Sequence, residues 1–245
     1  MRIIDAHVHL GDGPHKAYPL ETLHDDLHRA GATGAVAFAF PEDMYRTVDS
    51  RASRIAANAY VLAAAERDPN LYPFYFVWND YLIPDDFDAF VGIKWHRHWD
   101  EPPYDYDAPE CETILERIRA RHMPVTLEEE FDNTVRFVER NPGLPVIIPH
   151  CGVLNGGTAR MDVFFDNPDV YFDTAVAPLE AVAFVLEHVP AERVLFGSDV
   201  SGTATPFFNF PAVELAKVRQ LALGEREMAL LLAGNIDRLV GQVNK

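Results

Sequence analysis

Short apolar stretches recur along the chain, and each is followed by a segment that has the character of a helix or a loop. Apolar runs of about four to eight residues bounded by Gly, Pro, Asn or Asp predict strands, whereas apolar residues spaced three and four apart predict helices. Strands are predicted at residues 2–10, 34–40, 71–78, 91–96, 123–128, 145–150, 170–175 and 193–198. Helices are predicted at 21–30, 48–67, 110–121, 133–140, 159–165, 179–188, 213–221 and 225–232, with a short helical piece at 85–90.

This alternation predicts an α/β fold with a parallel sheet, because parallel neighbours need a crossover connection that is usually a helix. Eight strand–helix units in 245 residues favour a closed (β/α)8 barrel over an open, doubly wound sheet, since such barrels contain about 250 residues. No stretch has the composition of a linker, a repeat or a low-complexity tract. We therefore expect residues 1–245 to form a single (β/α)8 TIM-barrel domain whose active site lies at the C-terminal ends of the strands.

Two histidines stand near the end of the first predicted strand. Side chains alternate across a strand, so Ile4, Ala6 and Val8 are predicted on an apolar outer face and His7 and His9 together on the opposite face. The two imidazoles are then about 7 Å apart along the strand and can bind one divalent metal ion. The alternative is a pair of polar residues on a solvated strand face.

Other chemically capable residues fall at the ends of later strands. They are Lys94, His96 and His98 on one face of the fourth strand, Thr126 and Glu128 on the fifth, His150 in phase with Val146 and Ile148 on the sixth, Asp173 on the seventh, and Asp199 in phase with Leu195 and Gly197 on the eighth. The strand ends of a barrel converge on one axis. A set of His, Glu and Asp is suited to a hard-to-borderline divalent cation, most of all Zn²⁺, with Mn²⁺ as the alternative.

Each of these residues also has a purely structural interpretation. Asp199 could be the N-cap of a helix, and His150 could be a core histidine whose hydrogen bonds are satisfied internally. Glu128 could be one of three consecutive surface glutamates. The regular placement of the whole set at strand ends favours the metal site.

The composition excludes several classes of partner. The formal net charge of −17 argues against nucleic acid and anionic membranes, both of which attract basic surfaces. No apolar run approaches the ~20 residues needed to cross a bilayer, and the N-terminus does not have the pattern of a signal peptide. Cys111 and Cys151 are far apart, which favours a reducing compartment. We expect a cytoplasmic enzyme for a small-molecule substrate, with a homo-oligomer also compatible with the sequence.

Several segments together resemble a known family. They are IDAHVH at 4–9, GIKWH at 92–96, PVTLE at 124–128, PVIIPHCG at 145–152, VYFD at 170–173, VLFGSD at 194–199 and AGNIDRL at 233–239. The chain is similar to the amidohydrolase superfamily, and more narrowly to the amidohydrolase-related (amidohydrolase 2) family of metal-dependent barrel hydrolases and decarboxylases. The resemblance spans the whole chain.

The resemblance implies that His7, His9 and Asp199 bind the metal, and that His150 is either a ligand or an acid/base. Glu128 departs from the family, whose fifth strand usually ends in histidine. A carboxylate still coordinates at about 2.0–2.2 Å, so we expect Glu128 to be a ligand that favours harder cations. Lys94 stands where some relatives carry a carbamylated lysine between two metals, but in this branch that lysine is usually unmodified and no such bridge is expected.

The leading functional hypothesis is metal-assisted hydrolysis of a small ester, lactone or amide. The metal would lower the pKa of a bound water from 15.7 towards about 7, and Asp199 or His150 would move the proton. Arg97 is a candidate substrate contact. So are Tyr104 and Tyr106 in the loop after the fourth strand, for which an ordinary solvated surface is the alternative.

Two other functions compete with hydrolysis. The same ligands support non-oxidative decarboxylation of a small carboxylic acid in this family, and Lys94 or Arg97 would then hold the substrate carboxylate. A metal-binding barrel without catalysis is the third reading. It is less favoured because nothing in the sequence blocks the open coordination position.

Overall fold

The computed structural model of the chain describes residues 1–12, 17–39, 50–97, 101–200 and 208–243. Its centre is a ring of eight parallel strands that alternate with helices, so the predicted (β/α)8 barrel is confirmed. The strands are β1 (Ile4–His9), β2 (Gly34–Phe38), β3 (Leu71–Val77), β4 (Gly92–His96), β5 (Val125–Glu128), β6 (Val146–Ile148), β7 (Val170–Asp173) and β8 (Val194–Leu195). Each strand pairs with the next one along the chain.

Backbone hydrogen bonds between β1 and the chain that follows β8 close the ring. The Ala6 amide donates to the Phe196 carbonyl at 2.8 Å, and the His9 amide donates to the Val200 carbonyl at 3.0 Å. In the reverse direction the Asp199 amide donates to the His7 carbonyl at 2.8 Å. The first and last strands are therefore neighbours, which brings their two candidate metal-binding segments side by side.

Helices surround the barrel. They are α1 (Leu20–Ala30), α2 (Ser50–Arg67), α3 (Pro109–Arg121), α4 (Phe131–Arg140), α5 (Leu179–His188), α6 (Phe210–Val218), α7 (Glu225–Ala229) and α8 (Asn235–Gly241), with a π-helical turn at Leu230–Gly234 between the last two. The connection from β6 to β7 carries a 3-10 helix, Thr158–Phe164, where an α-helix is the usual crossover. A short antiparallel pair, Gly11–Asp12 with Ala17–Tyr18, follows β1.

Helix α1 shows how the sequence sets these boundaries. Leu20, Leu23 and Leu27 lie at helical spacing and are buried. Gly31 ends the helix at φ 74°, a left-handed conformation that glycine adopts without steric cost. The predicted stop at Gly31 is confirmed.

The prediction that Ile4, Ala6 and Val8 share the outer face of β1 was wrong for Ile4 and Ala6. In the pairing with β2, the step from Asp5 to Val8 spans one residue more than the facing step, which is a β-bulge. Ile4 and Ala6 therefore belong to the cluster that fills the barrel floor, whereas Val8 packs outside against α1. His7 and His9 still point inward, because both rings contact the inward-facing Phe38.

The prediction that His150 points the same way as Val146 and Ile148 on β6 was also wrong. Val146 and Ile148 face the outer cluster beneath the helices. The strand ends at Ile148, and the following His150 and Cys151 have φ values of 56° and 49°. These left-handed conformations turn the chain, so His150 reaches the barrel axis although the residues in phase with it point outward.

The outer face of the barrel forms the main hydrophobic core. Side chains such as Ile93, Trp95 and Leu127 pack there against α3 and α4. On the inside, a smaller apolar cluster closes the floor against α8. Among the described residues, none of the helices is both long and apolar enough to cross a membrane. His98, predicted on the inner face of β4, lies outside the described residues.

Candidate metal centre and active site

The His7 ring, just above the apolar floor of the barrel, is oriented by a hydrogen bond to Asp173. Its Nδ1 lies 2.7 Å from Asp173 Oδ2, and both side chains are fully buried. The carboxylate can only accept, so Nδ1 carries the hydrogen and Nε2 keeps its lone pair. Burial, together with the nearby Lys94 ammonium, lowers the pKa of His7 to about 4 despite Asp173. The ring is thus neutral and able to bind a metal at neutral pH.

His9 and His150 are oriented in the same way, each by a backbone carbonyl. His9 Nδ1 lies 3.0 Å from the Ala39 carbonyl oxygen, and His150 Nδ1 lies 2.8 Å from that of Ala175. Carbonyls accept hydrogen bonds only, so in both rings Nδ1 is the donor. All three imidazoles therefore turn Nε2 away from their anchors, which is how proteins present histidine to a metal.

Asp199 supplies the carboxylate that these rings face. Its Oδ1 lies 3.4 Å from His7 Nε2 and 3.5 Å from His9 Nε2. Burial alone would raise the pKa of Asp199, but the attraction of His7 and His9 outweighs burial and lowers it. Asp199 has φ 56°, so its carboxylate is placed by a left-handed backbone turn.

One group of candidate ligand atoms is compact enough for a single ion. Atoms of His7, His150 and Asp199 all lie within 4.8 Å of one another. Two imidazole nitrogens and a carboxylate oxygen match the donor preference of zinc and similar cations. His9 is next to this group, because its Nε2 contacts Asp199 Oδ1. The residues present therefore fit a divalent metal ion.

Glu128 is inward-facing, as predicted, but its neighbours are cationic or imidazole groups. Its Oε2 lies 3.0 Å from Lys94 Nζ and 3.4 Å from His150 Nε2, and its Oε1 lies 3.4 Å from His96 Nε2. Burial alone would raise its pKa, yet Lys94 and His96 hold that pKa well below the usual range. Glu128 is not in the compact group above, so its role as a ligand stays a prediction.

Glu128 in turn controls the charge on the two histidines beside it. Burial alone would lower the pKa of His150, but hydrogen bonding and attraction to Glu128 raise it to about 9. The same balance, with Glu101 also contributing, raises the pKa of His96 to about 10. Glu128 is therefore the centre of a buried charge network that joins β4, β5 and the turn after β6.

Lys94 is fully buried between this network and His7. Its Nζ lies 3.3 Å from His7 Nε2 and 4.8 Å from the centre of the Phe38 ring, a cation–π distance. Lys94 thus contacts the same nitrogen that would ligate a metal. An ammonium and a metal ion would compete for this lone pair. Metal binding therefore requires Lys94 to give up the contact with His7 and to keep its ion pair with Glu128.

The structure places Arg97 and the two loop tyrosines away from these contacts. Arg97 Nη1 lies 3.1 Å from Glu129 Oε1 and 3.3 Å from Glu130 Oε1. Tyr104 donates to the His96 carbonyl at 2.9 Å, and Tyr106 donates to Glu129. Both tyrosines are buried in an aromatic cluster around the outward-facing Trp95 rather than on a solvated surface.

Asp173 is the residue whose importance the sequence reasoning missed. The sequence places Asp173 at a strand end but predicts no specific role for it. In addition to holding His7, its Oδ1 accepts from the His150 amide at 2.9 Å and from the Ala175 amide at 3.0 Å. Its strand-end position was the available signal. An inward carboxylate beside predicted ligand histidines is a frequent orienting partner.

The amidohydrolase family model matches residues 4–242 of the chain. The chain belongs to the amidohydrolase family. Membership identifies it as an enzyme of a typically metal-dependent group, consistent with the His/Asp cluster described above. No curated protein gives a significant match.

Solved structures with the same fold are distant in sequence. A 2,6-dihydroxybenzoate decarboxylase from Rhizobium has a TM-score of 0.75 at 14% identity, covering 98% of this chain and 99% of that one. A probable 2-pyrone-4,6-dicarboxylic acid hydrolase from Acinetobacter baumannii has a TM-score of 0.75 at 15% identity, covering 98% and 100%. A 4-oxalomesaconate hydratase from Rhodopseudomonas palustris has a TM-score of 0.69 at 16% identity, covering 98% and 96%. These similarities concern the fold.

Proposed function

We propose that this amidohydrolase-family enzyme hydrolyses a small ester, lactone or amide with the help of one divalent metal ion, Zn²⁺ or alternatively Mn²⁺. The observation that carries the proposal is the shared orientation of His7, His9 and His150. Each ring is anchored through Nδ1. His7 and His9 turn Nε2 towards Asp199, and His150 turns Nε2 towards Glu128. Such preorganisation is expected of ligands and not of histidines that merely fill a core.

In this proposal His7, His9 and Asp199 would hold the ion, with Glu128 as the predicted further ligand. When bound, the ion supplies Lewis acidity to a carbonyl or water oxygen. Asp199 remains ionised because of its histidine neighbours, so it accepts the proton of the attacking water and returns it to the leaving group. His150 is either a further ligand or, in place of Asp199, the group that moves this proton.

The surroundings of the two candidate substrate cations favour hydrolysis over decarboxylation. A decarboxylase of this kind needs a cation that is available for the substrate carboxylate. Lys94 is already paired with Glu128, and Arg97 is already paired with Glu129 and Glu130. As substrate-binding residues, Lys94 and Arg97 would act only after exchanging these partners.

The test is metal analysis followed by a substrate screen. We expect about one equivalent of metal per chain, loss of activity with a chelator, and recovery with Zn²⁺ or Mn²⁺. The screen covers esters, lactones, amides and aromatic carboxylic acids, with CO₂ release measured in parallel. Release of CO₂ without hydrolysis would replace the proposal by decarboxylation. Metal-free protein with full, chelator-resistant activity would overturn it.

Two variants refine the assignment. His150→Gln separates the two roles of that residue, because loss of metal marks a ligand, whereas retained metal with lost activity marks an acid. His24→Gln is the matched control. His24 is an exposed histidine on α1 that also pairs with an aspartate, Asp68, at 2.9 Å, so its replacement should leave metal content and activity unchanged.

A further inference from the structure

A loop directly after β7 is tied to helix α6 by two charged residues. Lys217 Nζ donates to the Thr174 carbonyl at 2.9 Å and to the Ala177 carbonyl at 2.7 Å. Glu214, which forms an ion pair with Lys217, accepts from the Val176 amide at 3.0 Å. The loop of residues 174–177, called here the β7 loop, is thus held along most of its length by one helix.

The β7 loop adopts a conformation that its own sequence does not favour. Val176 has φ 43°, and a β-branched residue in the left-handed region is a marked steric outlier. Its side chain is 44% exposed, so packing of that side chain does not account for the conformation. Strained residues persist only where surrounding contacts over-determine them. Here Glu214 accepts the hydrogen bond of the Val176 amide, and Lys217 donates to the carbonyls of Thr174 and Ala177 on either side.

The residue next to the strained position contacts the candidate active site. The Ala175 carbonyl accepts the hydrogen bond from His150 Nδ1 at 2.8 Å, while the Ala175 amide donates to Asp173 Oδ1 at 3.0 Å. The direction of this carbonyl depends on the φ and ψ angles around it, and the strained Val176 follows it immediately. The conformation of the β7 loop therefore decides where the His150 ring can place Nε2.

We propose that Glu214 and Lys217 are positioning residues for His150. They hold the β7 loop in its strained form, the loop presents the Ala175 carbonyl, and the carbonyl keeps Nδ1–H of His150 on the wall side and Nε2 towards Glu128. This inference rests on the proposed function, since either role of His150, ligand or acid, needs Nε2 at the centre. Glu214 and Lys217 touch neither substrate nor metal in this account.

The direct test observes the His150 ring itself by ¹H–¹⁵N NMR on the whole protein. The Nδ1–H signal is assigned from its loss in His150→Gln. In the wild type this hydrogen is expected to exchange slowly with water, because it is buried and bonded to a carbonyl. In Lys217→Met, and in Glu214→Met, we expect its exchange to accelerate at least tenfold or its signal to disappear.

Conservative and matched variants keep a structural effect apart from a positioning effect. Glu214→Gln retains an acceptor for the Val176 amide and should keep most of the protection. Arg121→Met is the control, because Arg121 also binds loop carbonyls, those of Phe90 and Asp88, but before β4 at the other end of the barrel. It should lower the unfolding temperature without changing the His150 signal.

Activity adds a second readout. With the hydrolase substrate in hand, Lys217→Met should lower kcat about tenfold with KM within about twofold, in the range found when a partner of a metal-site residue is removed. The inference is overturned if folded Lys217→Met keeps the wild-type Nδ1–H protection. If protection is lost as expected but no variant or wild-type protein binds metal, the positioning stands and the proposed function fails.

Discussion

The barrel interior has two layers that differ in chemistry although the same strands form both. The lower layer is apolar and contains Ile4 and Leu195, packed against α8. The upper layer lies nearer the C-terminal ends of the strands and contains buried charged or titratable side chains, among them His7, Lys94 and Glu128. The lower layer needs only shape and hydrophobicity, whereas every member of the upper layer needs a specific partner. Substitutions in the two layers should therefore have different effects on metal binding and on stability.

The largest expected effect is loss of metal from the upper layer. His7→Ala/His9→Ala removes two imidazoles that face Asp199, so we expect no stoichiometric metal in protein purified from metal-supplemented culture, and no activity. Metal content is measured by mass spectrometry and folding by circular dichroism. His24→Ala/His28→Ala, two exposed histidines on α1, is the control. Full metal occupancy in the His7/His9 variant would show that β1 does not anchor the site.

Breaking the buried ion pair should show opposite effects on stability and on metal binding. Lys94→Met leaves Glu128 less well compensated, and we expect a loss of about 3–5 kcal/mol in the free energy of unfolding. The same change removes an ammonium that contacts His7 Nε2, so metal affinity should rise by about tenfold or more.

Urea unfolding and metal titration measure these two quantities. The double variant Lys94→Met/Glu128→Met should be less destabilised than the sum of the single variants, because the pair acts as a unit. Strict additivity would mean that Lys94 and Glu128 are not coupled in stability. Weaker metal binding in Lys94→Met would mean that the contact between Lys94 and His7 does not oppose the metal.

In the lower layer, truncation should cost stability alone. Leu195→Ala removes a fully buried side chain from the floor and should lower the free energy of unfolding by about 2–5 kcal/mol. Below its unfolding temperature the variant should bind metal with wild-type stoichiometry. Loss of metal from folded Leu195→Ala would show that the two layers are not separable.

A smaller effect tests the residue that departs from the family. Glu128→Gln keeps the shape but removes the charge, and should weaken metal affinity and activity by at least ~10-fold. Glu128→His should restore binding and shift the preference towards zinc, since imidazole suits zinc better than a carboxylate does. Isothermal titration with Zn²⁺ and Mn²⁺ measures both. Wild-type affinity in Glu128→Gln would make Glu128 a structural partner of Lys94.

Some features of both layers can be predicted from the sequence. Strand order, the barrel and the convergence of strand-end residues follow from periodicity and general rules of parallel sheets. The inward direction of Lys94 and Glu128 follows from a period of two along β4 and β5, whereas Asp199 lies beyond the end of β8 and is placed by a left-handed turn. That period assumes an unbroken strand, so it was wrong where a bulge interrupts β1 and where β6 ends before His150.

The partners of the buried charged residues are even harder to predict from the sequence. His96 faces Glu128 only because their strands pair in one particular register, which no local pattern in either strand specifies. The contacts of Glu214 and Lys217 with the β7 loop connect residues about 40 positions apart and include backbone carbonyls, which carry no sequence signal. Such contacts can be found only in three dimensions.

The bulge in β1 has a consequence for how this segment can change during evolution or design. One additional residue between Asp5 and Val8 allows Ala6 to face the floor and His7, its direct successor, to face the site. The length of this segment is therefore constrained more tightly than its composition. Substitutions at Ile4 or Ala6 can be compensated by repacking, but a single deletion there would return the strand to regular alternation and rotate the two histidines out of alignment with Asp199.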